Sequence, residues 1–302
     1  MAKKIIISVV IVLVIGVGAY FLFQNSTKDV DVTGEQEVAT STGGEGGGTS
    51  STVQNKEETL MGVSVERRDI IAYHFGEGTD EILLVGGIHG GYEWNTALVA
   101  YEAMDYLKAN SDVIPENVKV TVIPVLNPDG LFKVAGTADK FTKADVNTSE
   151  TVQVAGRFNA NEVDLNRNFD CDWQTEAKWQ DKTVSGGTSV FSEPEARAFR
   201  DYVKNNNPTA VLVWYSAAGG VFASNCHGGV LAETNTLTNL YAKASGYPAY
   251  QEFNFYEITG DAVNWLAKEG IPAISVLLTN HQDTEWTKNQ AGIKALLQHY
   301  AK

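Results

Sequence analysis

Residues 82–94 read Ile82-Leu83-Leu84-Val85-Gly86-Gly87-Ile88-His89-Gly90-Gly91-Tyr92-Glu93-Trp94. The first four are apolar without alternation, as in a strand covered on both faces. Glycines then turn the chain. From Trp94 onward, apolar residues at 94, 97, 98, 101, 104 and 107 fall on one helical stripe. Three further continuous apolar runs, at 118–125, 210–214 and 273–278, read as buried strands of the same kind. Helical patterns lie between them. Ser192-Glu193-Pro194-Glu195 has the form of a capping box with proline in the first turn, opening a helix to about residue 205. Others are predicted at 234–244, at 261–268 (Asp261 as N-cap, Gly270 as stop) and at 284–301. Strands alternating with helices predict an α/β domain with a mixed, mainly parallel central sheet and helices on both faces.

Such sheets carry their sites beyond the carboxyl ends of the strands. The first strand ends in His89 and Glu93, the second in Asn127-Pro128-Asp129-Gly130, the third in Tyr215-Ser216 and the fourth in Thr279-Asn280-His281. A histidine and a carboxylate this close are suitable zinc ligands, although a turn whose histidine merely caps a neighbour reads the same way. Between the second and third strands runs a connection over about 131–191, long enough to suggest function. It carries Val163-Asp164-Leu165-Asn166-Arg167-Asn168-Phe169. An arginine inside so apolar a run needs an anion, because a lone buried guanidinium costs several kcal/mol. Its planar fork matches a carboxylate bidentately. Either an incoming ligand or an internal acid, Asp164 or Asp170, supplies that anion.

The ends differ from the middle. Lys3 and Lys4 precede an apolar stretch at 5–23 with no charge, long enough to span a bilayer as a helix. The reading is a transmembrane signal anchor over 1–23 with the amino terminus in the cytoplasm. A signal peptide cleaved after Val17-Gly18-Ala19 competes with it, and the continuing run Tyr20-Phe21-Leu22-Phe23 favours the anchor. Residues 24–60 hold two lysines against seven acids around a Gly-rich centre and read as a flexible tether. The remaining domain, 61–302, is then extracytoplasmic. Its 19 basic and 30 acidic residues exclude nucleic acid as a natural partner and leave the N-terminal helix as the only membrane contact. Cys171 and Cys226 are the only cysteines, and in an exported chain they are expected to pair.

Gly-Gly-Ile-His with Glu93-Trp94, Asn-Pro-Asp-Gly, Val-Asp-Leu-Asn-Arg-Asn-Phe and Phe191-Ser192-Glu193-Pro194-Glu195 together resemble the zinc metallocarboxypeptidase family, in order and in register. The resemblance implies that fold, one zinc ion, and peptide C-termini or cell-wall peptides as partners. It implies His89 and Glu93 as zinc ligands, with three residues between them where the family usually has two. By the same resemblance Arg157 stabilises the oxyanion, and Asn166 and Arg167 grip the substrate's terminal carboxylate. Tyr256 closes over that carboxylate, and Val263 falls near the position that sets side-chain preference; being uncharged, it predicts no preference for a basic terminal residue. Two positions depart from the pattern. Tyr215 stands where the family has its third ligand, a histidine, and Leu277 where it has the catalytic glutamate. Losing a general base costs typically 10²–10⁴-fold. The expectation is a protein that binds peptide C-termini and hydrolyses them weakly or not at all, or a non-catalytic peptide- or cell-wall-binding pseudoenzyme. His227, His281 and Glu285 are the groups that could replace what is missing.

Overall fold

The structure is a computed structural model and describes residues 57–302. The anchor read at 1–23 lies outside the described residues, as does the tether up to residue 56. Among the described residues no helix is long and apolar enough to cross a membrane.

The four continuous apolar runs form the middle of one sheet: β3 (Asp80–Val85), β4 (Val118–Ile123), β7 (Ala210–Ser216) and β10 (Ala273–Leu278). All four run parallel in the order β4-β3-β7-β10. Alternate residues of one strand enter opposite cores, as the period of two requires. Leu83 and Val85 face one side with Phe199, Tyr202 and Trp265, whereas Ile82 and Leu84 face the other with Val99, Leu237 and Ile293. Apolar residues dominate both faces, and the few buried polar ones are paired, as where Thr121 and Tyr202 donate to Glu81.

Edges complete the sheet to eight strands. β1 (Glu58–Val63) and β2 (Asp69–Phe75) add antiparallel beside β4, and β8 (Gly220–Ala223) and β9 (Ala249–Tyr250) extend the side of β10. The first strand begins at Glu58, inside the stretch read as tether. A separate hairpin, β5 (Glu176–Trp179) with β6 (Lys182–Ser185), lies in the long connection.

Among the described residues seven α-helices pack around this frame: α1 (Trp94–Ala109), α2 (Pro128–Ala135), α3 (Glu150–Ala155), α4 (Pro194–Asn206), α5 (Ala232–Ser245), α6 (Ala262–Lys268) and α7 (Trp286–His299). The single stripe read on α1 is too narrow. Val99, Ala100 and Ala103 are fully buried, because the helix is gripped between the sheet and a second cluster containing Leu131, Val134 and Phe141. The capping box at 192–195 does not form either. Glu193 is the N-cap of α4 without a side-chain cap, and its carboxylate instead accepts from Asn159 and Asn161 at 2.7 and 2.8 Å. Asp261 does cap α6, accepting from the Asn264 N–H at 2.9 Å.

Candidate functional site

The carboxyl ends of β3, β7 and β10 open onto a cleft of about 910 Å³. His89, Glu93, Arg157, Asn166, Arg167, Tyr215, Tyr256, Val263 and Leu277 all line it, drawn from turns far apart in the chain. Cys171 lines it too and is bonded to Cys226, with Cα atoms 6.1 Å apart. That bond ties the segment after Arg167 to the loop after β8.

Local structure explains how each group arrives. Asn127 caps α2 by accepting from Gly130 N–H at 2.9 Å, and its Nδ2 donates to the Arg157 carbonyl at 3.2 Å. The Asn-Pro-Asp-Gly motif therefore anchors the Arg157 segment. Asp164 caps the short 3-10 turn Leu165–Arg167 by accepting from Asn166 N–H at 3.1 Å. Gly260 carries φ +63° and passes so close that a Cβ would stand 2.3 Å from the Arg167 carbonyl oxygen. Only glycine allows that approach, which brings Asp261 and α6 against the turn.

Two arginines reach the cleft, both only 1% exposed, and their surroundings differ. Arg157 is internally paired: its Nε and Nη2 lie 2.9 and 2.8 Å from Asp164 Oδ2, and its Nη1 lies 3.6 Å from Glu93 Oε1. It also stacks 4.4 Å above the Trp179 ring. Arg167 donates from Nε to the Lys178 carbonyl at 2.9 Å and from Nη1 to the Asn166 carbonyl at 2.6 Å. None of the ion pairs among the described residues includes it, since Asp164 is taken by Arg157 and Asp170 by Lys268 at 3.0 Å. The internal-acid reading thus holds for Arg157 and not for Arg167.

His89 bridges two carboxylates. Its Nδ1 is 2.9 Å from Glu93 Oε1 and its Nε2 is 3.2 Å from Asp164 Oδ1. Both distances are within ion-pair range, yet neither nitrogen is aligned for a hydrogen bond. Burial pushes Glu93 up, but His89, Arg157 and His281 outweigh it and hold the carboxyl below the ordinary range. Asp164 is likewise held far down, burial being overcome by Arg157 and His89.

The Tyr215 ring lies 5.7 Å from that of His89, and its hydroxyl donates to Asn166 Oδ1 at 3.1 Å. Burial, then Asp261 and Glu93, push the phenol well above its usual range, so it stays protonated. Leu277 pairs in register with Tyr215 across β10 and β7. Tyr256 is half-buried against Phe253, with ring centroids 5.0 Å apart. Val263 is buried on α6.

The three suggested substitutes part ways. His281 lines the cleft, its Nδ1 2.7 Å from Ser216 Oγ, and burial lowers its pKa. His227 sits at the rim, 75% exposed, 2.8 Å from Asp172. Glu285 does not line the cleft; it accepts from Thr279, Tyr247 and Lys288 instead. Two roles escaped the sequence reading. Ser216 joins His281 to Asn95 and, through its N–H, to Glu93 at 3.0 Å. The Lys178 carbonyl, on a hairpin the sequence did not reveal, holds Arg167.

A catalytic zinc needs three protein ligands and an open position. His89 and Glu93 would supply two. A neutral phenol committed as a donor to Asn166 is no third, and no group of three or more His, Cys, Asp or Glu among the described residues could hold a metal. The donor set does not fit the ion.

Comparison with known proteins gives three results. The model of the family described as "Zinc carboxypeptidase" matches residues 54–296. Relatives include a zinc carboxypeptidase of Simulium vittatum, 27% identical over 50% of this chain and 50% of that one. Carboxypeptidase B of Astacus astacus is 33% identical over 47% and 48%. Carboxypeptidase N catalytic chain of Homo sapiens is 27% identical over 57% and 37%. The chain thus spans half or less of the length of these curated relatives. Among solved structures, bovine thrombin-activatable fibrinolysis inhibitor in complex with tick carboxypeptidase inhibitor shares the fold at TM-score 0.62 and 17% identity, over 80% of this chain and 86% of that one. The murein-tripeptide amidase MpaA from Escherichia coli O157 does so at TM-score 0.54 and 18% identity, over 82% and 93%.

Proposed function

The chain belongs to the zinc carboxypeptidase family, and from that premise we propose that its cleft captures the C-terminal carboxylate of peptides while hydrolysing the terminal bond weakly or not at all. The observation that carries this reading is Arg167, a buried guanidinium on the cleft wall with no acid within ion-pair distance among the described residues. Such a group costs several kcal/mol until an anion arrives. A planar carboxylate is the anion its fork fits best. Asn166 and Tyr256 line the same cleft and supply further hydrogen-bonding groups.

Weak or absent turnover follows from the chemistry at the strand ends. Tyr215 offers a neutral phenol where the family has a metal ligand, and Leu277 offers no base. The peptides proposed are those met outside the membrane, cell-wall peptides included, with the domain held there by the N-terminal apolar segment.

Titration of the full-length chain with a peptide and with its C-terminal amide tests the reading. The free acid should bind more tightly, and Arg167→Ala should reduce its affinity by about 10- to 100-fold, the worth of a hydrogen bond to a charged group. Equal affinity for acid and amide, or rapid release of the terminal amino acid, would sink it.

A further inference from the structure

This inference rests on the reading of the cleft as a carboxylate receptor. We propose that Tyr215 is a positioning residue of that receptor: its hydroxyl fixes the Asn166 side chain, so that Asn166 and Arg167 are presented together to the ligand. The position where the family has a metal ligand would then serve substrate orientation instead.

The hydrogen bonds around Asn166 admit one arrangement. Its Oδ1 accepts from the Tyr215 hydroxyl at 3.1 Å and from the Ala262 N–H at 3.0 Å. A backbone N–H can only donate, so the atom facing it must be the oxygen. Its Nδ2 lies 2.9 Å from Asp261 Oδ2 and donates there. Both lone pairs of the oxygen and one of two amide hydrogens are thereby used, which leaves one hydrogen for an incoming oxygen. The Asn166 carbonyl accepts from Arg167 Nη1 at 2.6 Å. Residue 166 thus carries both the side-chain amide that Tyr215 holds and the backbone carbonyl that holds the guanidinium.

A phenol suits this task. It is rigid, fully buried at the end of β7, and an O–H donor at neutral pH. Phenylalanine would fill the same space and leave Oδ1 with one donor.

The test uses the full chain in detergent with a chelator present, titrated with N-acetyl-Ala-Ala-Leu and with its C-terminal amide. In Tyr215→Phe the ratio of acid to amide affinity should fall by about three- to tenfold, the worth of one hydrogen bond. The Asn166 side-chain NH₂ resonances, identified by their loss in Asn166→Ala, should move in Tyr215→Phe without any ligand. An unchanged ratio beside a collapsed one in Arg167→Ala overturns the positioning role and leaves the receptor standing. Unmoved resonances also overturn the positioning role. A wild-type chain that does not tell acid from amide overturns the receptor, and this inference with it.

Discussion

Arg157 and Arg167 are ten residues apart, equally buried and on the same cleft, yet one is closed and the other open. Arg157 meets Asp164 at 2.8 Å and Glu93 at 3.6 Å, and His89 fills the space between those two carboxylates. Arg167 meets only backbone carbonyls. Burial alone thus says nothing about whether a charge awaits a ligand; the location of the counter-charge decides it. One side of the cleft holds its own counter-charges, and on the other no acid lies within ion-pair distance of the guanidinium among the described residues.

The largest effect should come from reopening the closed side. Tyr215→His with Leu277→Glu would place an imidazole and a carboxylate on adjacent, paired strands beside His89 and Glu93. The double variant should take up about one zinc per chain with a Kd below about 1 μM, equivalent to about 8 kcal/mol. Metal analysis after dialysis would show it, against no stoichiometric zinc in the unaltered chain. No gain in the variant would mean that Tyr215 and Leu277 are not the positions that matter.

A second contrast concerns stability. Asp164→Ala strands the buried Arg157 charge and should cost about 3–5 kcal/mol. Arg167→Ala breaks no direct ion pair; it leaves two carbonyls short of a donor and removes a more distant positive charge from Asp261 and Asp164, so it should cost less, about 1–2 kcal/mol. Urea unfolding of both variants separates the two arginines. Equal losses would make Arg167 a structural residue and erase the difference between the two sides.

Much of this was legible in the residues. Strands buried on both faces leave unbroken apolar runs, and the rule that sites lie past their carboxyl ends led to the loops that line the cleft. The edges were not legible. β8 starts in glycines that read as loop, and β5 is four residues, Glu176-Ala177-Lys178-Trp179, too short to show a period. Its Lys178 carbonyl, which holds Arg167, has no sequence signature because every residue carries one. Nor could spacing reveal which arginine takes Asp164. Both lie within a few residues of it, and the three-dimensional turn makes the choice. Phe191-Ser192-Glu193-Pro194-Glu195 looked like a helix cap, but Glu193 and Glu195 are drawn off by Asn159, which no local rule anticipates.

The smallest expected effects concern two acids near the strand ends, whose signs should be opposite. Asp261 stands on the open side. Burial pushes it up, against the pull of the Asn264 N–H, Arg167, Asn166 and His89. A carboxyl raised above its unfolded value, about 3.9, contributes stability that is fully present below that pH and lost as pH rises through the folded value. Glu285 lies off the cleft. Burial raises it, but Lys288, Thr279 and Tyr247 outweigh that and leave it lowered. Its contribution is present above its unfolded value of about 4.3 and lost as pH falls through the folded one. Unfolding free energies measured from pH 7 down to pH 3 should therefore diverge between variants. On acidification the wild type should gain relative to Asp261→Asn and lose relative to Glu285→Gln. Should both differences run the same way, the burial of Asp261 does not outweigh its partners, and the distinction between open and closed would rest on Arg157 and Arg167 alone.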